Sequence, residues 1–318
     1  MEAVQPSLSP RQLRQIALIT IGAAAIFVGL RFLPTGTNLH HTDFAVNAKN
    51  AIEFCDPLNP QFIPVVAMTS PVTMTLVSEP LGRDRSAQLT LTLRTASGKQ
   101  IESVDLLVAH TRLLHLLVVD PTLTDYQHLH PEPGKNRGEW TFAFTPRRVG
   151  VYRVFADFTP AATARGLYAS ADVSVGEAPA AEVQGKTSEQ GATISAVDGS
   201  RGVEKDGYRF ELVPAGGAIR AGKTADLKFV VTRGDGGAVP LEPVMGAFAH
   251  LVAFDEARSG FAHLHPAEAD LSKRPDASRP ELNFKITIPR AGRYVIWSQV
   301  NLSGTEMFVP FWFEVLER

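Results

Sequence analysis

The chain has 318 residues, a formal net charge of −2, 44% hydrophobic and 20% charged residues. That is a folded protein with room for two domains, and the composition excludes a disordered or fibrous chain. Lys and Arg form no cluster, which excludes a nucleic-acid partner because phosphate neutralisation needs a basic patch; a single cysteine, Cys55, excludes an intrachain disulfide.

Ile16 to Leu30 carries no charge and is flanked by Arg11, Arg14 and Arg31. Such a run reads as the apolar region of a signal peptide or as a short membrane anchor. Arg31-Phe-Leu-Pro34 offers no small-residue cleavage site, which favours the anchor. Residues 1–33 are therefore expected to form an N-terminal transmembrane helix, barely long enough to span, with residues 16–33 meeting the membrane. Arginines before the run favour a cytoplasmic N-terminus. The expectation is a single-pass inner-membrane protein with its C-terminal domains in the periplasm.

Residues 34–66 read as a tether with a short helix. Thr42 or Asp43 would cap it, with Phe44, Ala48, Ile52 and Cys55 on one face. Asp56-Pro57, Pro60 and Pro64 would stop it. Cys55 is expected to be packed as a small hydrophobe.

From Val72 the apolar pattern has period two, as in Leu89, Leu91 and Leu93, or Trp140, Phe142 and Phe144. The second half repeats the plan with Leu227, Phe229 and Val231, and Leu282, Phe284 and Ile286. Val149-Gly150-Val-Tyr152-Arg-Val-Phe155 matches Ala291-Gly292-Arg-Tyr294-Val-Ile-Trp297. Short alternating strands between turn signals imply a sandwich. The fold class is all-β: two tandem antiparallel Ig-like or cupredoxin-like β-sandwich domains, residues 67–176 and 193–318, after the N-terminal helix. Residues 177–192 are small and polar, as a linker is.

Six of the nine histidines fall into two copies of one pattern. His115-Leu-Leu-Val-Val-Asp120 precedes Gln127-His128-Leu129-His130-Pro131. His250-Leu-Val-Ala-Phe-Asp255 precedes Ala262-His263-Leu264-His265-Pro266. A two-residue turn pairing Asp120 with Leu123 would put His115 directly opposite His128, and the same arithmetic around Glu256-Ala257 would put His250 opposite His263. His130 and His265 fall on the same faces. Three converging neutral imidazoles suit copper, zinc or nickel. Five residues before each lead histidine stand His110 and Met245. Each is a candidate fourth ligand that must arrive through a bend, and a thioether would draw the second site towards Cu(I). Solvated strand faces, hairpin pins bonded to Asp120, Asp255 or backbone, and a proton-linked role are the competing readings.

The strand pattern and the His-Leu-His-Pro hairpins resemble exported bacterial β-sandwich proteins of the cupredoxin-like, CopC-like and YtkA-like kind. The resemblance spans roughly residues 70–318 and implies copper handling. Blue-copper electron transfer needs a Cys thiolate, and neither sandwich holds one. Nucleophile, phosphate-loop, HExxH and Rossmann motifs are absent. The expectation is a non-catalytic protein binding copper or zinc through two three-His hairpins. The alternative is a structural accessory subunit of a respiratory or photosynthetic membrane complex, with structural histidines.

Overall fold

Ser9 opens the longest helix among the described residues, which are 9–31, 39–45, 61–177 and 202–318 of this computed structural model. Ser9 N–H donates to Gln12 Oε1 (2.9 Å), and Ser9 Oγ accepts from Gln12 N–H (3.3 Å). With Pro10 at the first helical position this is a reciprocal capping box. The helix, α1 (Pro10–Arg31), has 22 residues. Its Pro10–Leu30 stretch is long and apolar enough for a membrane span or a signal sequence. The helix extends the uncharged run Ile16–Leu30 by the turn Pro10–Gln15 and by Arg31. Twenty-two residues reach about 33 Å, enough to cross a bilayer's hydrocarbon core.

Of the tether helix, the described residues contain a 3₁₀ turn, His41–Phe44, in which Asp43 accepts the His40 N–H (2.9 Å). Asp43 also binds Lys99 Nζ (3.0 Å). The rest of that helix, with Ala48, Ile52 and Cys55, lies outside the described residues, as does nearly all of the 177–192 linker.

The first sandwich contains β1 (Val72–Val77), β2 (Leu81–Gly82), β3 (Ala87–Thr95), β4 (Leu106–Leu107), β5 (Leu114–Val119), β6 (Tyr126–Leu129), β7 (Glu132–Pro133), β8 (Glu139–Phe144), β9 (Gly150–Pro160) and β10 (Leu167–Gly176). One sheet has the order β1-β3-β8-β7 and the other β2-β10-β9-β5-β6, with β4 on the end of β9. The second sandwich contains β11 (Gly202–Lys205), β12 (Tyr208–Pro214), β13 (Thr224–Arg233), β14 (Leu241–Glu242), β15 (His250–Asp255), β16 (Phe261–Leu264), β17 (Glu281–Thr287), β18 (Gly292–Leu302) and β19 (Thr305–Val315). Its sheets are β11-β12-β13-β17 and β14-β18-β15-β16, with β19 also on β18. The mostly antiparallel plan is repeated: β5, β6, β9 and β10 correspond to β15, β16, β18 and β19.

Most strands alternate buried and exposed residues, as β8 and β17 do, because one face meets the core and the other meets water. The strand β5 is buried at every position, and β15 at all but its last. Burial of both faces has a direct cause. Leu251, Ala253 and Ile296 pack in the second sandwich's own core. Val252, Phe254, Phe261, Val295 and Trp297 point the other way and join the first sandwich's core. Phe155 meets Phe261 at 5.3 Å between ring centroids, and Tyr126 meets Phe254 at 5.4 Å and Trp297 at 5.7 Å. The two sandwiches therefore share one sheet-on-sheet interface.

The chain entering the first sandwich is also pinned to the second. Ile63 bridges Phe261, Gln61 bridges Thr287, and Phe62 packs edge-on against Tyr294 at 5.5 Å. Gly260 makes this crossing possible: a Cβ there would stand 1.8 Å from the Ile63 carbonyl oxygen. Residues 61–63, expected to be tether, thus form part of the folded body.

Candidate metal centre

The hairpins carry the histidines at a different register from the one expected. Leu117 pairs with His128 and Val119 with Tyr126. In the second copy Val252 pairs with His263 and Phe254 with Phe261. The expected pairs, His115 with His128 and His250 with His263, are each displaced by two residues. The cause is a longer loop. The Asp120 carboxylate, fully buried, accepts the backbone N–H groups of Thr122 (2.9 Å), Thr124 (2.8 Å) and Asp125 (2.8 Å). That wraps the chain around Asp120 in place of a two-residue turn. Asp255 does the same for Ser259 N–H and Oγ (both 2.6 Å). Neither aspartate pins a histidine. Because the displacement is even, side-chain parity survives, and the three rings of each copy still share one face.

Within each triad the candidate donor nitrogens lie within 4.8 Å of one another. His115 Nδ1 stands 3.1 Å from His128 Nε2, and His250 Nδ1 stands 3.3 Å from His263 Nε2. Two nitrogens bound tetrahedrally at zinc's usual bond length would be about 3.3 Å apart. His130 Nε2 and His265 Nε2 are both buried without a hydrogen-bond partner.

The outer nitrogens fix the tautomers. His115 Nε2–H donates to the Ala109 carbonyl (2.9 Å) and His250 Nε2–H to the Val244 carbonyl (3.0 Å). His128 Nδ1–H donates to Gln299 Oε1 (2.8 Å), an oxygen oriented by Gln299 Nε2 donating to Glu306 (2.8 Å). His263 Nδ1–H donates to Asp157 (3.1 Å). Each facing nitrogen therefore presents a lone pair to another lone pair, an arrangement that calls for a cation between them. Protonation is disfavoured, because burial pushes all six rings below the usual imidazole range, His250 to about 4 and His130 to about 3.

The two triads are not separate. His128 and His263 lie 5.2 Å apart between ring centroids, and His115 and His263 5.7 Å. Asp157 is opposite His115 on β9, and Gln299 is opposite His250 on β18. Each of these residues bonds a ring of the other sandwich, so the interface is reciprocal. Sequence reading missed this pair. The signal was present: Asp157 and Gln299 follow Gly150 and Gly292 at the same distance, in matching segments of the repeat.

His110 and Met245 arrive through bends, as their spacing required, with φ of 49° and 48°. His110 belongs to the first sandwich in sequence, yet its ring stacks on His265 of the second at 3.6 Å and is exposed at the rim. Met245 is half-buried. The two bends abut, since a Cβ on Gly246 would lie 3.8 Å from Thr111 Cγ2.

Solved structures similar to this chain show Ig-like and fibronectin-like tandem domains. The Lin-41 filamin domain is 17% identical, covering 33% of this chain and 93% of its own, at TM-score 0.21. Domains 4 and 5 of the S-layer protein SbsC are 13% identical, covering 76% and 97%, at TM-score 0.22. The Clostridium thermocellum CbhA fibronectin(III)-like modules are 9% identical, covering 77% and 94%, at TM-score 0.19. At these scores the likeness says nothing of function. No curated protein matches the sequence. One family model matches twice, over residues 67–175 and 203–317, once on each sandwich, and the chain belongs to that family, Domain of unknown function (DUF8832).

Proposed function

We propose that this protein is a non-catalytic metal-binding protein, held to a membrane by α1, that carries copper or zinc at His115, His128 and His130 and at His250, His263 and His265. One observation supports it above the rest. Outer acceptors fix four imidazoles so that lone pairs face each other at 3.1 and 3.3 Å in a buried interface. A structural pin built from neutral rings would set each ring N–H against an acceptor and each bare nitrogen against a donor; here bare nitrogens face each other. Burial between two sheets suits storage or transfer of an ion better than turnover of a substrate. In this reading α1 crosses the inner membrane and the sandwiches lie on the periplasmic side.

The test is metal content of the full chain in detergent, beside a variant with His128, His130, His263 and His265 all changed to Ala. The wild type should hold two copper or zinc ions that the variant loses. A wild type that stays empty in excess metal would overturn the reading and favour a structural subunit of a membrane complex.

A further inference from the structure

Pseudo-symmetry makes the differences between the triads informative. Gln299 and Asp157 occupy one register position, yet one is neutral and the other is an acid. An ion placed among three neutral imidazoles keeps its full charge in a partly buried site, and the cost of that charge rises steeply with valence. On the side of His250, His263 and His265 the Asp157 carboxylate lies 3.1 Å from His263 Nδ1 and offsets one unit. His110 adds a further imidazole there, stacked on His265.

The side of His115, His128 and His130 has these groups only at a remove: His110 stands 6.2 Å from His115 between ring centroids, against 3.6 Å from His265. Among the described residues no carboxylate bonds a ring of this triad; His128 is held by the Gln299 carboxamide at 2.8 Å. Glu306 behind Gln299 is exposed, so water screens it. A cation, Arg112, stands on this side, its backbone paired with that of Ala109, the acceptor of His115, and its ion pair with Glu132 is long, at 3.5 Å, and exposed. Asp157 lies across the ladder from His115 as well, so the two sides differ not in its nearness but in its hydrogen bond, which goes to His263. Tyr126, buried with its ring 6.5 Å from that of His128 and backed by Trp297, supplies an uncharged wall.

Resting on the metal-binding reading, we infer that the two triads take ions of different charge: His250, His263 and His265 a divalent ion, Zn²⁺, and His115, His128 and His130 monovalent Cu(I). Imidazole serves both metals, so the outer charge decides between them.

The full chain in detergent, titrated anaerobically with Zn²⁺ and Cu(I) against competing chelators, tests this. The wild type should bind one Zn²⁺ and one Cu(I) together. D157N should weaken Zn²⁺ about 10- to 100-fold, the usual range for an outer-shell partner, and weaken Cu(I) much less. Q299E should create a second Zn²⁺ site; it is an independent arm should D157N fold poorly. Two equal Zn²⁺ sites in the wild type, or D157N acting on both sites alike, would overturn the inference while the metal-binding reading stands. Failure of both ions to bind the wild type would overturn the two together.

Discussion

The two sandwiches carry the same three histidines at the same register, but they differ in what stands behind the rings. Asp157 backs His263, and Gln299 backs His128. Tyr126 and Trp297 line one half of the interface where the repeat places Phe261 and Phe155 in the other. Duplication copied the histidines, whereas the surroundings diverged. The difference teaches that which rings converge and what surrounds them are separable: the hairpin sets the first and the opposite sandwich sets the second.

Erasing both triads is the strongest way to break the comparison. The four-histidine variant should lose both ions, read by metal analysis, and with them whatever stability saturating metal contributes. That contribution is about 4 kcal/mol for an ion at a thousand times its Kd, and a melt that ignores added metal would count against the site.

Disturbing one half's framework comes next. Gly260→Ala forces a Cβ onto the Ile63 carbonyl and should cost about 3 kcal/mol, seen as a lowered urea midpoint. Close to it stands Asp120→Ala, which removes a buried acceptor from three backbone N–H groups, those of the exposed Thr122 and Thr124 and of the buried Asp125, and should cost about 1 to 3 kcal/mol. Asp255→Ala removes fewer bonds at a less buried position and should cost less. Equal losses at the two aspartates would show that the loops are more alike than their bonding implies.

Acid should act on the metal-free protein through both halves. His250 and His130 are held at about 4 and about 3, below the imidazole range of the unfolded chain. Their neutral burial contributes fully above about pH 6.5. As pH falls below that value the unfolded chain takes up protons first, so stability declines towards pH 4 and then 3. Urea midpoints of chelator-treated protein from pH 7.5 to 4.5 should fall steadily; a flat profile would mean that the rings are solvated.

The smallest effect should come from making the halves alike. Tyr126→Phe installs the residue type that Phe261 has in the other copy and removes a buried hydroxyl with no partner. Stability should stay within about 1 kcal/mol of wild type or rise slightly. A large loss would mean that the hydroxyl is bonded in solution.

Much of this was legible in the residues. Period-two strands such as Leu89-Thr-Leu91-Thr-Leu93 disclosed the sheets, and the matched Gly150 and Gly292 segments disclosed the repeat. The His-Leu-His-Pro motifs disclosed which rings share a face, because strand parity depends only on whether spacing is odd or even. The hairpin register was not legible. It depends on how many backbone N–H groups Asp120 gathers, and the Asp-Pro pair looked like a shorter turn.

What the sequence determined by itself is local: alternation, duplication, the apolar helix and the triads, all set by neighbours a few residues apart. What only the tertiary structure decided is which faces meet. A wholly buried β5 reads the same whether its second face meets a helix, a ligand or another sandwich. The hydrogen bonds from His128 to Gln299 and from His263 to Asp157 span 171 and 106 residues. No local pattern encodes contacts at that separation. They follow from burying Val252, Phe254, Phe261 and Trp297 against the first sandwich, and that burial brings two triads, read as separate sites, into one buried centre.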